Sequence, residues 1–283
     1  MVLVRKSDIS VVMVTFGASE MVQKSLDVLR PTTLNTVVIW DNTQDGNEAG
    51  ALARLTGDHV TVFSDGSNGG FGAGCNKGFK KTSSKYVAFV NPDCLVTADQ
   101  LLALAEDIEE YGGQVGAVVP RMVYPDGQIG ISGGPRVSIS KELLAATRID
   151  DVLPERIRKV AISAYDRVFV RGSGYSKVYE SGGLLDTEWV SGFCMIMRSS
   201  TFQAVGGFDE RFFLYFEDVE LSNRIRNAGF RVAIDRNVTA VHFESVTTKN
   251  GKGSAYWRGM ATYFDIKKFP VRSRIAQLMA GLA

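Results

Sequence analysis

The feature that most constrains this chain is an alternation in its first 120 residues between short β-branched runs and stretches with helical spacing. "ISVVMVT" (9–15), "TVVIWD" (36–41), "HVTVFS" (59–64), "YVAFV" (86–90) and "VGAVVP" (115–120) read as strands. Between them, Ser19 to Leu29 and Ala73 to Lys81 read as helices. A further helix opens at Thr97, places Leu101, Leu104, Ile108 and Tyr111 on one face, and has Gln100 to complete a capping box. Strands this apolar leave no face for water, so they belong in a parallel sheet covered by helices on both sides. Ligands of such sheets bind beyond the carboxyl ends of the strands. Asp41 ends the second run, and Asn91 and Asp93 follow the fourth.

The pattern loosens after residue 121. "YPDGQ" (124–128) has hairpin-turn chemistry, and the segment 138–170 reads as poorly patterned helix. Order returns with "WVSGFCMIM" (189–197) as a strand. A helix follows "RFFLYF", with Leu221, Ile225 and Ala228 on one face and Gly229 as its stop. "RVAID" (231–235) and "TAVHFES" (239–245) read as two short strands. At 283 residues, 45% hydrophobic and 22% charged, the chain has the makings of a full α/β core. A net charge of +1 carries no signature of a nucleic-acid partner. The three cysteines, Cys75, Cys94 and Cys194, are far apart and fit buried thiols in a reducing compartment. With no signal-peptide pattern at the start and no run long enough to span a bilayer, the expected location is cytoplasmic, with a place at the inner face of the cell membrane left open.

Each candidate site residue has a plain reading beside a chemical one. "SNGGFGAGCNKG" (67–78) lacks G-x-G-x-x-G spacing and follows the third strand, so it is not a dinucleotide loop. Its glycines suit a close approach of backbone to a ligand or to a neighbouring strand, and Asn68 and Asn76 favour the ligand. Asp41 suits either a cap for a helix starting near Gly46 or an acceptor for a pyrimidine ring N–H. Asn91-Pro92-Asp93 is a turn, or a turn that aims one carboxylate at a Mg²⁺ ion whose other ligands are phosphate oxygens and water. His242 is either a hydrogen-bonded structural histidine or the metal partner of Asp93, and His59 is read as structural. Glu217-Asp218 compensates a helix dipole, or supplies a general base beside an aromatic wall.

Taken together, "VVMVTFG", "VVIWDNTQDG", "NGGFGAGCNKG", "FVNPDCLV", "WVSGFCMIMRSS" and "GGFDERFFLYFEDVELSNRIRNAGF" with "AVHFES" resemble, in order, the inverting family 2 glycosyltransferases, especially the bacterial rhamnosyltransferase-like branch. The resemblance runs from about residue 8 to 265 and implies a GT-A fold: an α/β, Rossmann-like, mostly parallel central sheet flanked by helices, with a smaller mixed sheet on the acceptor side. It implies one domain over 1–270, with a nucleotide-sugar half to about 120, an acceptor half over 121–250, and a helical tail over 251–283. It further implies that Thr15, Asp41, Asn68 and Asn91 bind the nucleotide sugar, that Asp93 and His242 hold Mg²⁺ or Mn²⁺, that Asp218 is the base, and that Trp189 and Glu217 lie on the acceptor side. Asn91 stands where the family motif has its first Asp.

The implied reaction moves a sugar, rhamnose in this branch, from a dTDP- or UDP-sugar to a hydroxyl of a cell-surface glycan or a polyprenyl-diphosphate-linked acceptor. A sugar nucleotidylyltransferase would want a basic glycine-rich loop after the first strand, which "VTFGASEM" lacks. A catalytically silent sugar-nucleotide-binding protein is the other alternative, and the presence of Asp93, Asp218 and His242 weighs against it. The C-terminal "KKFPVRSRIAQLMAGLA" fits a basic amphipathic membrane contact, or equally a helix packed on the domain or on the partner in a homodimer.

Overall fold

The computed structural model describes residues 3–140, 142–143, 182–243 and 253–283. The strands read from the amino end form as expected: β1 (Ile9–Thr15), β2 (Thr36–Asp41), β3 (Val60–Phe63) and β4 (Tyr86–Val90). All of β1 and β4 is buried, as strands covered on both faces must be. The helices between them are α1 (Ser19–Leu29), α2 (Gly46–Ala53) and α3 (Phe71–Phe79). The two-residue strand β5 (Cys94–Leu95) precedes α4 (Ala98–Glu110), and β6 (Val115–Val123) follows it. The capping box at α4 is present: Gln100 N–H donates to Thr97 Oγ1 and Thr97 N–H to Gln100 Oε1.

The later elements are β7 (Gly133–Gly134), β8 (Leu184–Thr187), β9 (Trp189–Val190), β10 (Cys194–Arg198), α5 (Ser199–Ala204), α6 (Glu217–Asn227), β11 (Arg231–His242), α7 (Ser254–Ile266) and α8 (Pro270–Leu282). Among the described residues, one sheet runs β3-β2-β1-β4-β10-β6-β11-β5, with β8 also paired to β11. The β3-β2-β1-β4 part is wholly parallel. Because β2 lies on one side of β1 and β4 on the other, chain order reverses there, and the crevice opens at the ends of β1 and β4. β10 enters antiparallel between β4 and β6. β7 and β9 form a separate small antiparallel sheet.

Three readings need correction. "WVSGFCMIM" is not one strand: it breaks at Ser191–Phe193 into β9 and β10, which lie in different sheets. The strands expected over 231–235 and 239–245 are one strand, β11, whose pairing with β6 shifts register between Asp235 and Thr239. The glycines of 67–78 chiefly serve packing. A Cβ on Gly78 would lie 2.5 Å from Val12 Cγ1 and one on Gly74 2.7 Å from Val14 Cγ1, so bare α3 backbone rests directly on β1. The reading of 138–170 lies almost entirely outside the described residues.

Two apolar cores result. The larger fills both faces of the sheet. The smaller gathers Phe212, Phe216 and Val219 with Trp257, Met260, Tyr263 and Phe264 of α7 and Ala276 of α8. The C-terminal helices thus pack around the segment that leads into α6.

Candidate active site

Thr15 and Asp41 are register partners at the carboxyl edge, both buried. Asp41 is not a helix cap: Asp45 caps α2 by accepting from Asn47 and Glu48 N–H. Asp41 Oδ1 instead accepts from Thr43 N–H (2.7 Å), which fixes its carboxylate at the end of β2. Among the described residues Thr15 Oγ1 and Asn42 Oδ1 are buried without a partner, as expected of groups reserved for a ligand or water. Asn68 Oδ1 accepts from Gly70 N–H (3.0 Å), and Gly70 C=O accepts from Asn42 Nδ2 (3.2 Å), tying this loop to the end of β2. Asn76 has a different duty: it exchanges hydrogen bonds with the Phe208 backbone.

The Asn91-Pro92-Asp93 stretch is a turn, closed by Cys94 N–H donating to Asn91 C=O at 3.0 Å. It then enters β5, which pairs antiparallel with β11 and sets Cys94 opposite His242. That two-residue ladder puts Asp93 Oδ1 3.0 Å from His242 Nε2, with Asn91 Nδ2 3.4 Å from the same nitrogen. Both Asp93 and His242 are buried. A divalent ion with ligands at about 2.1 Å sets neighbouring donors about 3.0 Å apart, so one carboxylate oxygen and one imidazole nitrogen here fit two adjacent positions of an octahedral ion. Among the described residues no group of three or more His, Cys, Asp or Glu side chains gathers at one point, so the remaining positions would fall to diphosphate oxygens and water.

Asp218 lies in the first turn of α6, partly buried. Its Oδ2 accepts from Gly192 N–H (3.0 Å) and its Oδ1 from Val219 N–H (2.7 Å). Burial pushes its carboxyl up, against those two N–H groups that pull it down. The net direction is upward, so burial outweighs the helix N-terminus, and the group is a stronger base than a free aspartate. Glu217 is buried at 5% exposure, its Cβ against Gly72 of α3, an internal place for a residue expected on the acceptor side. Burial first, and the neighbouring Asp218 second, push Glu217 up to about 8. Trp189 donates its ring N–H to Pro135 C=O (2.9 Å) at the β7–β9 sheet.

The turn Ser191-Gly192-Phe193 ties these pieces together and was missed from sequence. While Gly192 N–H holds Asp218, Phe193 C=O accepts from Asn91 N–H (2.8 Å), and the Phe193 ring lies 5.4 Å from the His242 ring. One three-residue turn therefore registers the carboxylate of α6 against the Asn-Pro-Asp turn. A glycine inside an apolar run was the available signal. On the approach to α6, Tyr215 and Phe216 both have positive φ, 70° and 71°, and a Cβ on Gly259 of α7 would overlap the Tyr215 carbonyl oxygen. This lead-in is strained and held from behind by the C-terminal layer.

A family model described as glycosyl transferase family 2 matches residues 10–162, more than half of the chain. The chain belongs to that family. A second model, glycosyl transferase family 21, matches residues 155–252. An N-acetylglucosaminyl-diphospho-decaprenol L-rhamnosyltransferase of Mycobacterium tuberculosis is 26% identical over 84% of this chain and 76% of its own length. Rhamnosyltransferase WbbL of Escherichia coli is 22% identical over 94% and 93%. Among solved structures, mannosyltransferase PcManGT from Pyrobaculum calidifontis, in complex with GDP-Man and Mn²⁺, superposes with a TM-score of 0.59 at 14% identity, covering 97% of this chain and 73% of that one. GalNAc-T7 with UDP, GalNAc and Mn²⁺ superposes at 0.58 with 15% identity over 84% of this chain, which spans only 43% of that structure. These likenesses carry the fold, and the fold is the GT-A type expected. This family 2 member is a glycosyltransferase, which sets aside a nucleotidylyltransferase or a silent binding protein.

Proposed function

We propose that this glycosyltransferase moves a sugar, with L-rhamnose favoured, from a nucleoside-diphosphate donor to a hydroxyl of a polyprenyl-diphosphate-linked glycan, inverting the anomeric centre. The names of the relatives support the sugar and the lipid-linked acceptor, with dTDP-rhamnose the first donor to test and UDP-sugars next. The observation that carries the mechanism is the Gly192-Phe193 link between Asp218 and the Asn91–Asp93 turn.

On this reading Asp41 and Thr15 receive the base and ribose at the ends of β2 and β1, and Asn68 and Asn91 border the same crevice. Asp93 and His242 would hold Mg²⁺ or Mn²⁺, which when bound neutralises the charge developing on the departing diphosphate. Asp218 takes the proton of the acceptor hydroxyl as that oxygen bonds to the anomeric carbon. The bond from that carbon to the diphosphate oxygen breaks on the opposite face. Gly192 and Val219 N–H groups orient the Asp218 carboxylate, while its burial raises its basicity. Trp189 stands on the acceptor side. Glu217 is buried beside Asp218 in sequence and keeps its proton to about pH 8.

Asp218→Asn should lower turnover by about 10²–10⁴-fold. Donor binding, read as a thermal shift with nucleotide sugar and Mn²⁺, should stay near wild type. Turnover within a few-fold of wild type would remove Asp218 as the base.

A further inference from the structure

We infer that α8 docks this protein on a membrane surface rich in anionic phospholipid. The helix has two apolar faces, which no helix needs merely to pack on a domain. Ser273 and Ala276 are buried, and Met279 and Ala280 pack against the second core. On the far side Val271, Ile275, Leu278 and Leu282 follow at intervals of four, three and four residues, one continuous helical stripe. Three of the four face water, Val271 and Leu278 at 70% exposed and Leu282 at 83%, while Ile275 between them is half-buried. Phe269, just before the helix, adds a ring that is 45% exposed.

The charge beside the stripe identifies the occupant. At 100° per residue, Arg274 borders the stripe on one side and Arg272 on the other, and Lys267 and Lys268 precede the helix. Arg272 lies 4.6 Å over the Phe269 ring, which holds this cation beside the apolar face. No Asp or Glu occurs from Ile266 to Ala283, so this stretch carries +4. The whole chain has 32 cations and 31 anions, so the remainder carries 28 against 31, or −3. A segment that carries +4 around one exposed apolar stripe, in a chain whose remainder is net −3, suits an anionic interface, with apolar side chains at the acyl boundary and arginines among headgroups. The inference goes beyond the donor and acceptor proposal and holds for any acceptor. It also differs from crossing a bilayer, since among the described residues no helix is long and apolar enough to do so.

The test is co-sedimentation of the full chain with vesicles of phosphatidylglycerol and phosphatidylcholine, against pure phosphatidylcholine. Each cation near an anionic surface contributes about fivefold in partitioning, so binding to the anionic vesicles should be at least tenfold tighter and should weaken as salt rises. Val271→Asp/Leu278→Asp should abolish binding while leaving the melting temperature within about 2 °C, since both side chains are exposed. Lys268→Glu/Arg274→Glu, which keeps the stripe, should lose the preference for anionic vesicles. Absence of vesicle binding, or binding unchanged in Val271→Asp/Leu278→Asp, overturns the proposal. So does a concentration-dependent dimer in sedimentation velocity that disappears in that variant while vesicles are ignored; the face would then belong to a second copy.

Discussion

Gly70→Ala isolates the contact that fastens the 67–70 loop to the segment leading into α6 and Asp218. Gly70 sits at φ 88° and ψ −175°, a region open essentially to glycine alone, immediately before α3. Forcing a non-glycine residue there costs about 1–3 kcal/mol. A Cβ would also overlap the carbonyl oxygen of Phe213, the group that accepts from Phe71 N–H at 3.0 Å. The loop must back away and lose that bond, adding about 1–3 kcal/mol for a buried donor left unpaired. The sum, about 2–6 kcal/mol, is a large part of the stability of an ordinary domain. In a chain of 283 residues it lowers the melting temperature by roughly 3–10 °C. Gly66→Ala is the control, because Gly66 has φ 74° but nothing within 4 Å of its would-be Cβ, leaving only the conformational cost. Differential scanning calorimetry on the two variants reads the difference. If Gly70→Ala melts within about 2 °C of Gly66→Ala, the close passage of the loop over Phe213 is absent and the reasoning fails.

Two further outcomes follow from the site. In Glu217 the folded protein keeps a proton to about pH 8 that the unfolded chain releases near 4.5, so its stabilising effect is complete at acid pH and is lost as pH rises through 8. Glu217→Gln should therefore flatten the decline in urea-unfolding midpoint between pH 6 and pH 9, and an unchanged slope would mean that Glu217 is not the group responsible. For His242→Ala, the extra thermal stabilisation that Mn²⁺ gives in the presence of a nucleoside diphosphate should fall at least by half relative to wild type. An identical Mn²⁺ increment in both proteins would exclude the imidazole as a ligand.

Local chemistry made much of the amino-terminal half legible. β1, β2 and β4 appear at their expected residues because each is an unbroken apolar run buried on both faces, and the Thr97–Gln100 box marks the start of α4 unambiguously. Thr15, Asp41 and Asn91 could be placed at one edge because parallel topology orders the strand ends. What escaped depends on contacts distant in sequence. Nothing within residues 194–198 says that β10 will lie antiparallel between β4 and β6. The use of Gly74 and Gly78 is decided by Val14 and Val12 across the helix–sheet interface, not by the loop itself. The break at Gly192 belongs to the same kind: the glycine was visible, but its partners, Asp218 and the Asn91 turn, are assembled by the fold. The C-terminal segment offered alternative readings because one helical pattern was expected to serve one face, whereas α8 packs one apolar face on the second core and leaves another exposed.

The overlap that Gly259 avoids has a consequence for how far this enzyme can be treated as exchangeable parts. The carbonyls of Leu214 and Tyr215 run against bare backbone of α7, and Tyr215 and Phe216, the positive-φ pair that leads into the helix of Asp218, are backed by that surface. A chimera that joined the amino-terminal half to the C-terminal helices of a relative would bring a new side chain or a new helix position to that surface, and would displace the Asp218 carboxylate without altering any residue of α6 or of the Asn91–Asp93 turn. α6, its approach and α7 would have to be exchanged between relatives as one piece.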